Sequence, residues 1–316
     1  MAHYSQKPVQ ITAPWDGDVL NRHDGVESDD GLTVRVEGTA PPGEPVTVND
    51  IEADRDGAAF RADVLLTAPD NLITARCPAG ADQITVLYDR ASYPRYRFSV
   101  DDNILFLKDL SEQMPASIFD HWYLAFWRAM HERFGAKIHI NIYHQTEGFA
   151  LPLMPDRWRE EWAANAHWLH LSFHGLQNEP AWIYRNAPAR RLARDFEWVM
   201  DEIYRFATPA VTSDTTTVHW AEATREGVAA LYQRGIRKLI ALPGFHPDGS
   251  PRTTYHLDRT QVQHLRERDA WRDPDTGMIF ISCDEVVNSF TPEEVPQVLD
   301  RQAVAGIQRA AQVEQF

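Results

Sequence analysis

The rhythm of the apolar residues changes once along this chain of 316 residues, near residue 92, and that change constrains the fold more than any other feature. From Leu32 to Tyr88 the apolar side chains recur at alternate positions in short runs: Leu32-Thr-Val-Arg-Val-Glu37, Pro45-Val-Thr-Val48, Phe60 to Leu66, Leu72 to Cys77, and Gln83-Ile-Thr-Val-Leu-Tyr88. Successive side chains of a strand point to opposite faces, so a period of two marks a half-buried strand. Gly38-Thr-Ala-Pro-Pro-Gly43, Asn49-Asp50 and Pro69-Asp70-Asn71 separate the runs with residues that favour turns. Strands at this spacing, without a helical period, predict a small antiparallel β-sandwich over residues 1–92.

Beyond residue 96 strands alternate with helices. Tyr96 to Val100, Ile138 to Tyr143, Trp168 to Phe173, Thr216 to Trp220, Lys238 to Leu242 and Met278 to Cys283 read as strands. Ile118 to Phe134 reads as one helix stopped by Gly135. A second spans residues 188–206, where Leu192, Phe196, Val199, Met200, Ile203 and Phe206 recur at three- and four-residue steps. A third runs from Ala223 to Arg234 and ends at Gly235. Repeated strand–helix units predict an α/β domain over residues 93–316 with a parallel sheet, open or closed into a barrel. In such folds the chemistry gathers at the carboxyl ends of the strands.

Composition divides at the same place. The net charge is −15, and residues 1–90 hold 16 acidic and 7 basic side chains, a net −9. The remaining residues carry eleven of the thirteen histidines and nine of the ten tryptophans. Phosphate-backbone binding depends on clustered Lys and Arg, so an acidic balance of this size argues against a nucleic-acid partner. No run of 18 apolar residues is present, which argues against a membrane partner. The start, MAHYSQKPVQ, lacks the basic-then-apolar pattern of a leader. A cytoplasmic location is expected for the chain as it stands, and a secreted or periplasmic one if a leader has been removed. Cys77 and Cys283 are too sparse for a disulfide framework or a zinc ribbon and are expected as two thiols. Oligomeric state is not encoded in any of these features.

Four expected strands of the second domain run into ionisable residues: Val100 into Asp101-Asp102, Phe173 into His174, Val218 into His219, and Cys283 into Asp284. Each alone is an ordinary cap or turn former. Together at one end of a parallel sheet they would converge, and two imidazoles with a carboxylate suit Zn²⁺ or a similar divalent ion with a position left for water. A second carboxylate could then serve as general base. Tyr143 and Gln145 end another strand and could face the same mouth, as could Trp220 and Glu222. Trp158, Trp162, Trp168 and Trp182 bracket the His174 strand, where aromatic faces can stack on sugar rings or simply fill the core.

Phe98-Ser-Val-Asp101-Asp102 resembles the first motif of the polysaccharide deacetylases (NodB homology, carbohydrate esterase family 4). The resemblance covers about 220 residues, residues 96–316, and it continues through Asn141-Ile-Tyr-His-Gln-Thr146, Trp168–His174 and His219-Trp220-Ala-Glu222. It implies a distorted (β/α) barrel, with Asp101 as catalytic base, Asp102 as metal ligand and His174 as the first histidine of the second motif. The segment VEGTAPPGEPVTVND to AAFRADVLLTAPDNLITARC resembles the immunoglobulin-like modules that accompany carbohydrate-active enzymes. The second motif of the deacetylases places a further histidine four residues on, and two registers fit this chain. His170-Leu-Ser-Phe-His174 matches by letter, but residues i and i+4 of a strand lie about 13 Å apart at ~3.3 Å per residue. In the other register Asn178 takes the second position, and because Asn is a poor zinc ligand His219 becomes the better third donor. Asp102, His174 and His219 are the preferred set, Asp102 with His170 and His174 is the alternative, and absence of a metal is the third possibility.

Elsewhere the family motifs have drifted. His219-Trp220-Ala-Glu222 stands where an Arg-Pro-Tyr type motif would line the groove, and Asp284 stands at the strand end that supplies a histidine acid in the family. The expectation is a metal-dependent hydrolase, with zinc as the metal, that removes an N- or O-linked acetyl group from a carbohydrate. Catalysis would fall to Asp101 and Asp284, and Tyr143, Gln145, Trp220 and Glu222 would meet the substrate. The rivals are hydrolysis of a non-sugar amide on the same barrel and non-catalytic carbohydrate binding.

Overall fold

The computed structural model describes residues 8–92, 96–283, 285–304 and 311–315, so Asp284 lies outside the described residues. Two compact units result, Met1–Ser92 with Ala270–Asp275, and Tyr93–Asp269 with Thr276–Phe316.

The first unit is built from two five-stranded sheets. One pairs Gln10–Ala13, Leu32–Thr39, Ala59–Leu66 and Asp54–Asp56 in that order, with Gly25–Glu27 also on Leu32–Thr39, all antiparallel. The alternation read from the sequence is realised in register: Leu32 faces Leu66, Val34 faces Val64 and Val36 faces Ala62 across the ladder, and all six are buried. Ile73, Ala75, Ile84, Val86 and Tyr88 of the other sheet join them in one apolar core. Each valine, leucine or isoleucine side chain so buried stabilises the fold by about 1.5–3 kcal/mol relative to exposure. Gly38 is required within its strand, because a Cβ there would stand 2.3 Å from Phe60 Cζ and 2.2 Å from Gln10 O. A short segment from far downstream completes this unit. Arg272 N donates to Gly17 O at 2.8 Å, and Trp271 Nε1 donates to Asp16 O at 2.8 Å. No periodicity announces that segment.

The second unit places eight parallel strands in sequence order. Leu169–Gly175, Ile138–Tyr143, Tyr96–Asn103, Ala311–Gln315 and Glu285–Val286 form one sheet. Thr215–Thr216, Lys238–Ala241 and Ile279–Ser282 pair in another. The expected barrel is not closed among the described residues. On one side the chain itself passes from Ile279–Ser282 in one sheet to Glu285–Val286 in the other. On the opposite side the two-residue strand Thr215–Thr216 pairs with Lys238–Ala241 but not with Leu169–Gly175. Side chains bridge this seam instead. Ser172 Oγ donates to Thr215 O at 3.1 Å, Thr216 Oγ1 bonds Phe173 O, and His174 Nδ1 meets Thr217 O at 2.6 Å.

Helices follow the expected periods with one correction. In the helix Ala189–Phe206 all six apolar residues read as one face are buried. The single helix expected over Ile118–Phe134 is two elements, a 3₁₀ turn at Ile118–Asp120 and a helix, Trp122–Phe134. The break falls where the His121 imidazole caps that helix by accepting from Tyr123 N, an arrangement that Ser117 and Asp120 reinforce with a capping box on the turn. The strand expected at Thr216–Trp220 keeps only its first residue, because His219–Ala221 form a 3₁₀ turn. Both cysteines are free thiols, Cys77 half-buried and Cys283 buried. No helix among the described residues is long and apolar enough to cross a membrane.

Candidate metal centre

The first and second strands of the parallel unit are buried on both faces, yet their sequences alternate. In Ile138–Tyr143 the isoleucines occupy one face, and His139, Asn141 and Tyr143 the other. Leu169, Leu171 and Phe173 oppose His170, Ser172 and His174 in the same way. A polar face on a fully buried strand needs partners inside the protein, and these side chains supply them to one another.

Two β-bulges aim the chemistry. Val100 pairs with Ile140 but Asn103 pairs with Ile142, so the Asp101–Asp102 step carries one residue more than its partner strand. Asp102 absorbs it with a left-handed φ of 62°, a conformation that Asp tolerates better than most residues. Adjacent strand residues normally face opposite sides. The bulge instead lets both carboxylates line one cavity. The second bulge falls at His174, because Ile142 pairs with Phe173 and Tyr143 with Gly175.

The cavity is about 300 Å³ and is lined by Asp101, Asp102, His174, Asn178, His219 and Trp220 among others. Four of the eleven non-glycine residues with positive φ among the described residues line it: Asp102, Trp220, Ala221 and Thr253. Such conformations cost roughly 1–3 kcal/mol each and persist only where the surroundings hold them. One such hold is visible at Ala221, whose carbonyl accepts from Tyr255 N at 2.6 Å and whose N–H donates to Val218 O at 2.6 Å.

Three donor atoms converge at the mouth. Asp102 Oδ1 lies 3.1 Å from His174 Nε2 and 3.4 Å from His219 Nδ1, and the two ring nitrogens are 3.3 Å apart. Bonds of about 2.0–2.1 Å at tetrahedral angles put ligand atoms ~3.3 Å from one another, so one small divalent ion fits this triangle. Each imidazole is also oriented for it. His174 Nδ1 meets the Thr217 carbonyl at 2.6 Å, and His219 Nε2 meets the Asn178 carbonyl at 3.0 Å. A carbonyl can only accept, so those nitrogens carry a proton; when the rings are neutral, Nε2 of His174 and Nδ1 of His219 hold lone pairs that would meet a cation, and when the rings are protonated they donate to Asp102.

Electrostatics agree with the geometry. Burial alone would raise the Asp102 carboxyl, but hydrogen bonds with His174 and His219 hold it well below the usual carboxylate range. Burial would lower His174, yet the charges of Asp101 and Asp102 raise it above the ordinary value of 6.5. Asp101 is 6 % exposed, and Asn141 Nδ2 donates to its Oδ1 at 2.5 Å. The Asn141 amide, fully buried, also bonds Ser99 Oγ at 2.9 Å and accepts from Thr216 Oγ1 at 3.2 Å. Reading the sequence did not single out Asn141. The polar face of its strand was the signal available.

The other candidates disperse. His170 stands in register with His139, their rings 6.1 Å apart, and is not one of the three converging donors. Asn178 lines the cavity, but its side-chain oxygen is engaged with Tyr143 Oη at 3.1 Å. Tyr143 is no groove wall: it is 2 % exposed, because its ring is part of the strand's inner face and its hydroxyl reaches the donor cluster. Gln145 sits in a two-stranded hairpin and bonds Gln177. Glu222, 7 % exposed, pairs with Arg185 at 2.7 Å. Trp220 is 45 % exposed at the mouth beside Trp182, with ring centroids 5.5 Å apart, whereas Trp158, Trp162 and Trp168 are core.

No family model and no curated protein sequence matches the chain. Among solved structures, a protein assigned as a polysaccharide deacetylase from Mycobacterium smegmatis is similar at 11 % identity and a TM-score of 0.43, over 71 % of this chain and 77 % of its own. A CE4 family pseudoenzyme from Bacillus anthracis is similar at 9 % and 0.28, over 71 % of this chain and 54 % of its own. A protein assigned as an alpha-galactosidase from Bacteroides fragilis is similar at 11 % and 0.28, over 97 % and 73 %. At those scores the site's own geometry has to carry the functional reading.

Proposed function

We propose that this chain is a metal-dependent hydrolase that removes an N- or O-linked acetyl group from a carbohydrate. The observation that supports it most is the triangle of Asp102 Oδ1, His174 Nε2 and His219 Nδ1, spaced for one ion, with a second buried carboxylate, Asp101, in the same cavity. A divalent ion held there, zinc by its nitrogen and oxygen donors, would polarise a carbonyl and lower the pKa of water.

The chain's own residues supply the rest. Asp101 acts as general base and takes the proton of the attacking water, with Asn141 fixing one of its oxygens. His174 and His219 keep their donor nitrogens aimed by the bonds to Thr217 and Asn178. Trp220, with Trp182 beside it, offers an exposed aromatic face on which a sugar ring can stack at the mouth. Asp284 is the candidate for protonating the leaving group. We read residues 1–92 as an immunoglobulin-like module that accompanies this catalytic unit, residues 93–316, and we expect a carbohydrate as the partner, with neither nucleic acid nor membrane involved.

Acetate release tests the reading. Zinc-loaded protein is incubated with N-acetylglucosamine oligomers and with O-acetylated xylan. Release that stops on chelation, returns with zinc and is lost in Asp101→Asn at full zinc occupancy is the expected result. A chain with stoichiometric zinc that frees no acetate from either panel overturns it, and turnover of a small non-sugar amide by the same sample would move the reaction to that substrate class.

A further inference from the structure

The phenol of Tyr143 stands among the metal donors. Its oxygen bonds Asp102 Oδ1, lies 2.7 Å from His219 Nδ1 and lies 3.1 Å from Asn178 Oδ1. Two of the three donor atoms of the candidate centre are therefore within hydrogen-bond distance of a single oxygen. The ring is packed against both imidazoles, with centroids 5.0 Å from His174 and 5.2 Å from His219. At 2 % exposure the side chain is buried, and its one polar atom meets the cluster rather than solvent.

Three polar atoms crowd that oxygen, which has one proton to give. Whichever contact the phenol donates to, lone pairs of the Asp102 carboxylate and the Asn178 amide oxygen, and of Nδ1 when the His219 ring is neutral, are left facing it. Arrangements in which several lone pairs face one small space suit a cation better than they suit one another.

We infer that the Tyr143 hydroxyl oxygen is a fourth protein ligand, making the centre Asp102, Tyr143, His174 and His219. The inference rests on the metal-dependent reading above and extends it. An ion drawing the four atoms to ~3.3 Å separations needs the phenol oxygen to retreat from its 2.7 Å contact with His219 by about 0.6 Å and from its shorter contact with Asp102 by more, a tilt of the whole side chain rather than a turn of its ring. The phenol proton leaves to solvent as the oxygen joins the ion, as protons do when metal sites fill. Such a centre has two nitrogen and two oxygen donors, a set suited to zinc and to copper(II) alike. Water and a substrate oxygen would then enter by expansion to five donors or by displacing the phenol.

Copper(II) as an optical probe tests this without reference to activity. One equivalent added to the full chain is expected to give a phenolate-to-copper charge-transfer band, and Tyr143→Phe is expected to abolish the band and weaken zinc binding about tenfold or more. Tyr143→Phe keeps the buried ring, and near-native thermal melting of the metal-free variant confirms that it folds. Copper bound stoichiometrically without such a band, or a band that survives in Tyr143→Phe, overturns the phenol ligand and leaves the three-donor centre standing. Failure of the wild-type chain to bind copper or zinc at all overturns both.

Discussion

The assignment of His219 as a ligand separates this chain from the letter match at His170, and one substitution decides between them. In the structure His219 Nδ1 lies 3.3 Å and 3.4 Å from the other two donors, while His170 sits beside His139. Zinc sites with four ligands bind with roughly 10–16 kcal/mol, so one ligand corresponds to about 3 kcal/mol, which is about two decades in affinity. His219→Ala should therefore weaken zinc about 100-fold, whereas His170→Ala should leave it within a factor of about three. Competition against a chromophoric chelator measures both. Thermal melting provides the check on folding, because His219→Ala also leaves the Asn178 carbonyl without its partner, at a cost of about 1–2 kcal/mol. Zinc at 100 times the wild-type dissociation constant stabilises the wild type by about 2.7 kcal/mol and the weakened variant by only about 0.4 kcal/mol. Unchanged zinc affinity in His219→Ala, together with loss in His170→Ala, would refute the geometry and restore the other register.

Two further outcomes follow from the same side chains. In the metal-free chain the raised pKa of His174 means that its protonation favours the folded state, so this stabilisation is full below about pH 6.5 and is lost as pH rises through the raised value. Chelated protein should melt at lower temperature at about pH 8 than at about pH 6.5, and His174→Gln should flatten that slope; an equal slope in the variant would assign the effect elsewhere. Asn141→Ala removes the donor 2.5 Å from Asp101 Oδ1 and should cost about 2–3 kcal/mol in denaturant unfolding, against near-neutrality if the amide were a bystander.

Much of this was legible from residue patterns, because the patterns report burial. The alternation from Leu32 to Leu66 survives as buried pairs in register, and the six apolar positions of the helix Ala189–Phe206 form its inward face. What periodicity cannot carry is a place where the backbone departs from its period. Asp102 and His174 owe their aim to bulges, each an extra residue that leaves the hydrophobic pattern of its neighbours intact. The 3₁₀ turn at His219–Ala221 is invisible for the same reason, since Thr216 to Trp220 has strand-like composition. Contacts closed by distant residues, such as Arg272 on Gly17, leave no local mark at all.

Tyr143 and Asn141 differ from these, for their strand did announce them. Ile138–Tyr143 alternates strictly, which reads as one face in the core and one face in water. Every residue of it is buried, so the polar face must look inward. An inward polar face has to be satisfied by other polar groups, and it is: Asn141 by Asp101, Ser99 and Thr216, and Tyr143 by Asp102 and its neighbours. A carboxylate beside a buried amide and a phenol beside two metal donors are therefore consequences of where this strand lies. In an amphipathic strand assigned to the centre of a parallel sheet, the polar face is where the site's supporting residues should be sought, ahead of the ionisable residues at the strand ends.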